Sequence, residues 1–358
     1  MTPGAPVLRI GRRTVGGGSP VFVVAEISAN HNQRYEDAAD LVRAAKSAGA
    51  DAVKLQTYTP DTMTLDNKGE PFLVSGGTLW DGSTLYDLYS QAQTPWEWHA
   101  KLKELANNLG LELFSTAFDG SAVDFLEEME TPVHKVASFE LVDLPLIEKV
   151  ARTGKPLILS TGMATLSEIE EAVTTARQAG AEEIALLKCT SAYPAPAEDM
   201  NLRTIPHMAE AFGVPVGLSD HTLGIAVPVA AVSMGACLVE KHFTLSRAAG
   251  GPDAAFSLEP DELRAMVEAI RTAERALGIV HYGLTQSAAK IRVFRRSLFA
   301  VRDIPRGERF TALNVRSIRP SHGLHTRHLE DVLARRASRD VKKGEPLTWD
   351  LVGPRDRR

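Results

Sequence analysis

Two strand-like runs each end in a histidine: Val216-Gly217-Leu218-Ser219-Asp220-His221, and then Cys237-Leu238-Val239-Glu240-Lys241-His242-Phe243. They lie one strand-helix repeat apart, so neighbouring parallel strands would carry both imidazoles to the same rim. Two imidazole nitrogens, with water filling the remaining positions, suit a divalent ion such as Mn2+ acting as a Lewis acid. The plainer alternative is that each histidine caps a core strand.

Other strand ends repeat the polar pattern. Glu26 closes the first strand, Lys54 and Gln56 the second, Ser115 and Thr116 the third; Lys135, Ser138 and Glu140 follow the fourth, Thr161 the fifth, and Lys188, Thr190, Ser191 and Tyr193 the sixth. A lysine in an apolar strand is costly to bury unless paired, so Lys54, Lys135, Lys188 and Lys241 need an explanation. Either each pairs with a neighbouring glutamate, or the four face a polyanion. Lysines and hydroxyls converging on one rim would hold a phosphate and a carboxylate of one small molecule, as in phosphoenolpyruvate, through charge-assisted hydrogen bonds.

The elements that must position these groups alternate along the chain. Apolar, β-rich runs at 21–27, 52–56, 112–115, 134–137, 157–160, 184–188, 214–218 and 237–241 are separated by amphipathic stretches such as 35–48, 95–109, 166–179 and 223–234, with a last helix over 260–277. Eight such repeats, with no GxGxxG turn after the first strand, predict a (β/α)8 TIM barrel rather than a doubly wound open sheet. A small hairpin from Leu8 to Gly18 would cover the barrel floor. The long insertion 58–94 follows the second strand on the side where a barrel builds its active site, so it should shape specificity. Beyond Gly278 the pattern changes: 279–292 reads as a linker, and 293–358 as a small β-rich module with short strands at 297–300, 304–307, 315–318 and 341–346.

At 358 residues a large domain plus a small one is expected, and a net charge of −5 with no run of like charges argues against nucleic acid or a membrane surface as partner. There is no charged leader into a long apolar stretch and no membrane-span window, so a cytoplasmic location is expected. Cys189 and Cys237 sit in apolar runs without CxxC spacing, which reads as buried thiols in a reducing compartment.

Several motifs are familiar in combination. Ala25-Glu26-Ile27-Ser28-Ala29-Asn30-His31-Asn32, Val53-Lys54-Leu55-Gln56-Thr57, Lys135-Val136-Ala137-Ser138, Ser219-Asp220-His221 and Glu240-Lys241-His242-Phe243 together resemble the sialic acid synthase family. The resemblance covers nearly the whole chain. It implies a metal-dependent condensation of phosphoenolpyruvate with an N-acylated amino sugar, giving a nine-carbon 2-keto acid; Mn2+ is the expected ion, with Mg2+ and Co2+ as alternatives. Gly77-Thr78-Leu79-Trp80-Asp81-Gly82, Thr94-Pro95-Trp96-Glu97-Trp98-His99 and Cys189-Thr190-Ser191-Ala192-Tyr193-Pro194 look most like the branch that uses a 2,4-diacetamido-2,4,6-trideoxy hexose. The precursors of N-acetylneuraminic and legionaminic acid are the alternatives.

Residue roles follow from position and resemblance together. His221 and His242 would hold the metal; Glu26 would act as general base. Lys54, Thr116, Lys135, Ser138, Ser191 and Ser219 would bind phosphoenolpyruvate, and Gln56, Asp81, Glu140 and Tyr193 the sugar. Asn314-Val315-Arg316-Ser317-Ile318-Arg319-Pro320 is similar to the family's antifreeze-like (SAF) domain, which implies a domain-swapped homodimer with Arg319 reaching the partner's sugar site. The chain departs from the family at Ser191, where asparagine is usual, at Ser28 and Gln33 in place of glycines, at Ala117 in place of a proline, and at Ser321 after Arg319-Pro320. Two rival readings are a Schiff-base aldolase using a rim lysine and a non-catalytic carbohydrate-binding protein.

Overall fold

The structure is a computed structural model and describes residues 6–355. It divides into two compact units, Met1–Gly278 and Ile279–Arg358. In the first, strands β1 (Val7–Ile10) and β2 (Arg13–Gly16) form an antiparallel hairpin. Then come β3 (Phe22–Glu26), β4 (Ala52–Thr57), β5 (Glu112–Ala117), β6 (His134–Val136), β7 (Leu157–Ser160), β8 (Ile184–Cys189), β9 (Val216–Asp220) and β10 (Leu238–His242). These eight strands are parallel and close into a barrel, β10 pairing with both β3 and β9. The expected TIM barrel is what forms, not the open sheet.

Side chains alternate across each strand with period two, so one set faces the barrel axis and the other faces the helices. Phe22, Val24, Ala52, Phe114, Val133, Ile158, Leu187 and Leu238 make the axial core, joined by Leu8, Ile10 and Val15 of the hairpin, which closes the N-terminal end. The opposite set, including Val23, Ala25, Val53 and Leu55, packs against Leu41, Val42 and Ala45 of helix Tyr35–Ala48. Gly217 is on the axial face because a Cβ there would come within 2.5 Å of the Leu238 carbonyl and 2.7 Å of Leu187.

Helix ends carry the signals expected of them. Thr165 and Glu168 form a reciprocal capping box on helix Leu166–Gln178, and Gly49 ends Tyr35–Ala48 in the left-handed conformation at φ 92°. The helix predicted over 223–234 is shorter, Ala226–Ser233, because a turn with Gly224 at φ 73° occupies the preceding residues. β9 and β10 run further than expected, which makes His242 a strand residue and places His221 directly after its strand.

The second unit has its own core of Leu298, Ile304, Phe310, Val315 and Leu347. Its strands are β11 (Ser297–Ala300), β12 (Val315–Ile318), β13 (Arg335–Ala337) and β14 (Val352–Arg355), in two antiparallel pairs. The predicted strands at 304–307 and 341–346 form only isolated bridges, Ile304 with Val341 and Pro346 with Phe299. The stretch read as a linker contains a short helix, Gln286–Ile291. Among the described residues no helix is long and apolar enough to cross a membrane.

Candidate active site

Two residues beyond the axial core, the apolar layer gives way to charged residues on β3, β4, β6 and β10 and to hydroxyls or a thiol on the other strands. Lys54 of β4 ion-pairs with Glu26 of β3 and with Glu240 of β10, each at 2.8 Å, and all three are buried. Glu240 also accepts from the Ser219 hydroxyl at 3.0 Å, and Glu26 from the Ser28 N–H at 2.7 Å. One ammonium between two carboxylates cannot neutralise both. Burial and the charge on Glu240 push the Glu26 carboxyl up to about 7. Burial works the same way on Glu240, but Lys54, Lys135 and the Ser219 hydroxyl outweigh it and hold its carboxyl low. Lys54 is desolvated too, yet its two partners keep it firmly charged.

Among the described residues Lys135 has no carboxylate within ion-pair distance. Its ammonium donates to the Ser160 hydroxyl at 2.7 Å and the Val136 carbonyl at 2.9 Å, and burial lowers it to about 8. Thr116, on the axial face of β5, is buried beside it in register. Ser138 accepts from the Gly162 N–H at 3.1 Å, and the Ser191 hydroxyl is buried with no hydrogen-bond partner. A Cβ at residue 162 would sit 2.3 Å from the Ser191 hydroxyl and 2.7 Å from that of Ser138, so the two hydroxyls converge over a glycine. A buried cation and a converging hydroxyl pair are groups that could hold an anion.

The histidines close the other side of the rim. Their rings are 5.3 Å apart between centroids. His221 donates from Nδ1 to the Thr190 carbonyl at 2.9 Å, which makes Nε2 the nitrogen available to a metal once the ring is neutral. His242 is kept neutral by burial and by the His221, Lys54 and Lys241 charges, and its Nδ1 is buried without a hydrogen bond, 3.7 Å from Asp253. Burial works against charge on His221 too, but Cys189, the Thr190 carbonyl and Asp220 outweigh it and raise its pKa, so a divalent cation held by the two rings would displace the proton on His221 Nε2. No three His, Cys, Asp or Glu side chains converge as a ready-made ligand set among the described residues, so water or substrate would complete such a shell.

Tyr193 lies between this pair and the insertion. Its ring is 4.4 Å from His221, 5.3 Å from Phe256 and 5.7 Å from Trp80. Gln56 donates to the Ser28 hydroxyl at 3.1 Å, and Ser28 in turn hydrogen-bonds Asp253. Glu140 has one carboxylate oxygen buried without a partner, and burial raises its carboxyl to about 7.

One expectation needs correction, and two predicted residues are already engaged with their surroundings. The four lysines do not converge: Lys188 and Lys241 have the opposite parity to the axial residues and face the helices. Lys188 donates to the Cys189 carbonyl, while Lys241 forms a fully buried ion pair with Asp220 at 2.5 Å. Asp81 is exposed and its carboxylate accepts inside its own loop from the Gly77 and Thr78 N–H groups and the Thr78 hydroxyl, so most of its acceptor capacity goes to that turn. The Ser219 hydroxyl donates its proton to Glu240. Arg319 follows β12 in the second unit and is exposed.

Two residues were missed. Glu240 was legible, because it lies two positions before His242 and so shares its face. Asp253 sits in an irregular loop, where no periodicity marks it.

The NeuB family model matches residues 41–282 and the SAF domain model residues 295–353. This chain belongs to the NeuB family. It is 47% identical to a pseudaminic acid synthase of Helicobacter pylori over 93% of this chain and 98% of that one. An N,N'-diacetyllegionaminic acid synthase of Legionella pneumophila is 36% identical over 94% and 96%. Among solved structures, the N-acetylneuraminic acid synthetase of Leptospira borgpetersenii, crystallised with citrate, superposes with a TM-score of 0.72 at 30% identity, covering 80% of this chain and 95% of that one.

NeuB members are carbon–carbon bond-forming enzymes that use phosphoenolpyruvate and an amino sugar. Around this rim lie Lys54, paired with Glu26 and Glu240, the buried Lys135, the two imidazoles, and the aromatic Tyr193–Trp80–Phe256 side.

Proposed function

We propose that the chain is a pseudaminic acid synthase: it condenses phosphoenolpyruvate with 2,4-diacetamido-2,4,6-trideoxy-L-altrose and releases inorganic phosphate. The observation that carries the reading is the placement of Lys54 and Lys135 on the same rim as the paired imidazoles of His221 and His242. The choice of sugar rests on the higher identity to the pseudaminic acid synthase than to the legionaminic acid synthase.

Lys54 and Lys135 balance the phosphate and carboxylate charge, with Thr116, Ser138 and Ser191 as hydroxyl donors. His221 and His242 would hold a divalent ion, Mn2+ in this proposal, which would supply Lewis acidity toward the aldehyde of the open-chain sugar. C3 of phosphoenolpyruvate forms the new bond to that aldehyde carbon, and positive charge develops at C2. Glu26, raised to about 7, takes a proton from the water that adds at C2, and cleavage of the C–O bond expels phosphate. Gln56, Glu140 and Tyr193 face the sugar.

We place the enzyme in the cytoplasm, where its free thiols Cys189 and Cys237 stay reduced, and propose a homodimer in which Arg319 serves the partner's sugar site. In support, Ile279, Val280 and Tyr282 are 85%, 89% and 98% exposed, an apolar run that association would cover.

The test is phosphate release from phosphoenolpyruvate by the Mn2+-loaded protein with the diacetamido sugar and with N-acetylmannosamine in parallel. Release with the first alone is expected. Preference for N-acetylmannosamine would overturn the sugar, and a borohydride-trapped adduct with pyruvate would move the chemistry to a Schiff base.

A further inference from the structure

We infer that Trp80, aimed by Asp81, is the residue that reads the distal substituents of the amino sugar, favouring acetamido and deoxy groups over hydroxyls. The inference rests on the sugar proposed above. It begins from the insertion between β4 and helix Trp96–Asn108, which the rim residues alone do not explain.

Within the insertion, residues 74–83 are tied to themselves. The Val74 N–H donates to the Ser83 carbonyl at 2.9 Å and the Gly82 N–H to the Val74 carbonyl at 3.0 Å. Asp81 fixes the turn between them, accepting from the Gly77 N–H at 2.8 Å, the Thr78 N–H at 2.9 Å and the Thr78 hydroxyl at 2.6 Å. A carboxylate with three donors in a five-residue turn is spent on geometry, and the side chain next to it is what that geometry aims.

Trp80 reaches back to the barrel mouth. Its indole N–H donates to the Pro252 carbonyl at 2.9 Å, next to Asp253, and its ring approaches Tyr193 at 5.7 Å. Tyr193 and Phe256 continue the wall, Phe256 lying 4.9 Å from the His242 ring. Trp80 is only half-buried, so indole surface remains open. Its single polar group is already used on Pro252, so that surface can offer only apolar contact. A methyl or acetamido methyl gains from such a wall, and a hydroxyl placed there loses hydration without a partner.

The experiment compares Trp80→Ala, Trp80→Phe and Asp81→Ala with the wild type, Mn2+-loaded, using phosphoenolpyruvate with 2,4-diacetamido-2,4,6-trideoxy-L-altrose or N-acetylmannosamine. Thermal melts check that each variant is folded. Trp80→Ala is expected to lower kcat/KM for the diacetamido sugar by about 10–200-fold, through KM, with a smaller loss for N-acetylmannosamine and an unchanged KM for phosphoenolpyruvate. Trp80→Phe, which keeps an apolar ring, should retain more of the discrimination. Asp81→Ala should reproduce the KM effect of Trp80→Ala, which a role confined to loop stability would not do. If the wild type prefers the diacetamido sugar and Trp80→Ala keeps that preference, the role of Trp80 is overturned while the proposed function stands. If the wild type itself prefers N-acetylmannosamine, both fall. An Asp81→Ala variant with wild-type KM removes Asp81 from the argument.

Discussion

Glu26 and Lys135 differ in what burial does to them, and the difference sets a pH window. Burial and the Glu240 charge raise Glu26 to about 7, so it gains the ability to accept a proton as pH rises through 7. Burial lowers Lys135 to about 8, so it loses the charge that meets phosphoenolpyruvate as pH rises through 8. The kcat/KM for phosphoenolpyruvate should therefore be bell-shaped, with limbs near 7 and 8 that belong to the free enzyme. Glu26→Gln should cost about 100-fold or more and remove the acid limb. Lys135→Arg keeps the charge at every pH and should remove the alkaline limb, at reduced activity because Ser160 is fitted to an ammonium. A rate profile flat from pH 6 to 9 would deny both assignments. Most of this residue set was legible in the sequence, because strand ends in a barrel are where chemistry collects. What was not legible was the division of labour: spacing cannot tell that Ser219 is taken by Glu240, or that Asp81 is spent on its own turn.

At the scale of elements, the eight strands and their order could be read from alternating apolar runs, but the direction of each lysine depended on a parity that identity alone conceals. Lys54 and Lys135 follow the axial core at two-residue spacing, whereas Lys241 falls between the axial Glu240 and His242. It does other work there. Lys241 reaches from β10 to the Asp220 carboxylate and the Thr222 carbonyl, on either side of His221. Asp220 holds the same turn through the Thr222 N–H and hydroxyl, both at 3.1 Å. The pair ties together the strand ends that carry the two histidines. Lys241→Met leaves Asp220 buried without its cation and should cost about 3–5 kcal/mol in denaturant unfolding. Adding Asp220→Asn, which keeps the bonds to Thr222 but removes the stranded charge, should recover part of that loss. An unchanged unfolding midpoint in Lys241→Met would show that the pair holds nothing. The irregular segments escaped sequence reading for the complementary reason: Asp253 and the 74–83 turn are fixed by contacts distant in sequence or by turn bonds, and neither leaves a period.

For the whole molecule, the informative question is whether one chain suffices. The barrel and the second unit each have a core of their own, so nothing in the packing of either requires that a site be completed by its own chain. The proposed homodimer makes a quantitative prediction that uses this independence. His242→Ala removes a barrel residue and Arg319→Ala a residue of the second unit, and each homodimer should be impaired. If the two variants are mixed in equal amounts and allowed to exchange, about half of the dimers carry one chain of each kind. If Arg319 acts in trans, the intact barrel in such a dimer receives an intact Arg319 from its His242→Ala partner, and one site of two is restored. The mixture should then recover about a quarter of wild-type activity. If Arg319 acts in cis, every barrel with His242 lacks its arginine and mixing restores nothing. Light scattering should give twice the 38.8 kDa chain mass in either case, so only the mixing result bears on which chain supplies the arginine.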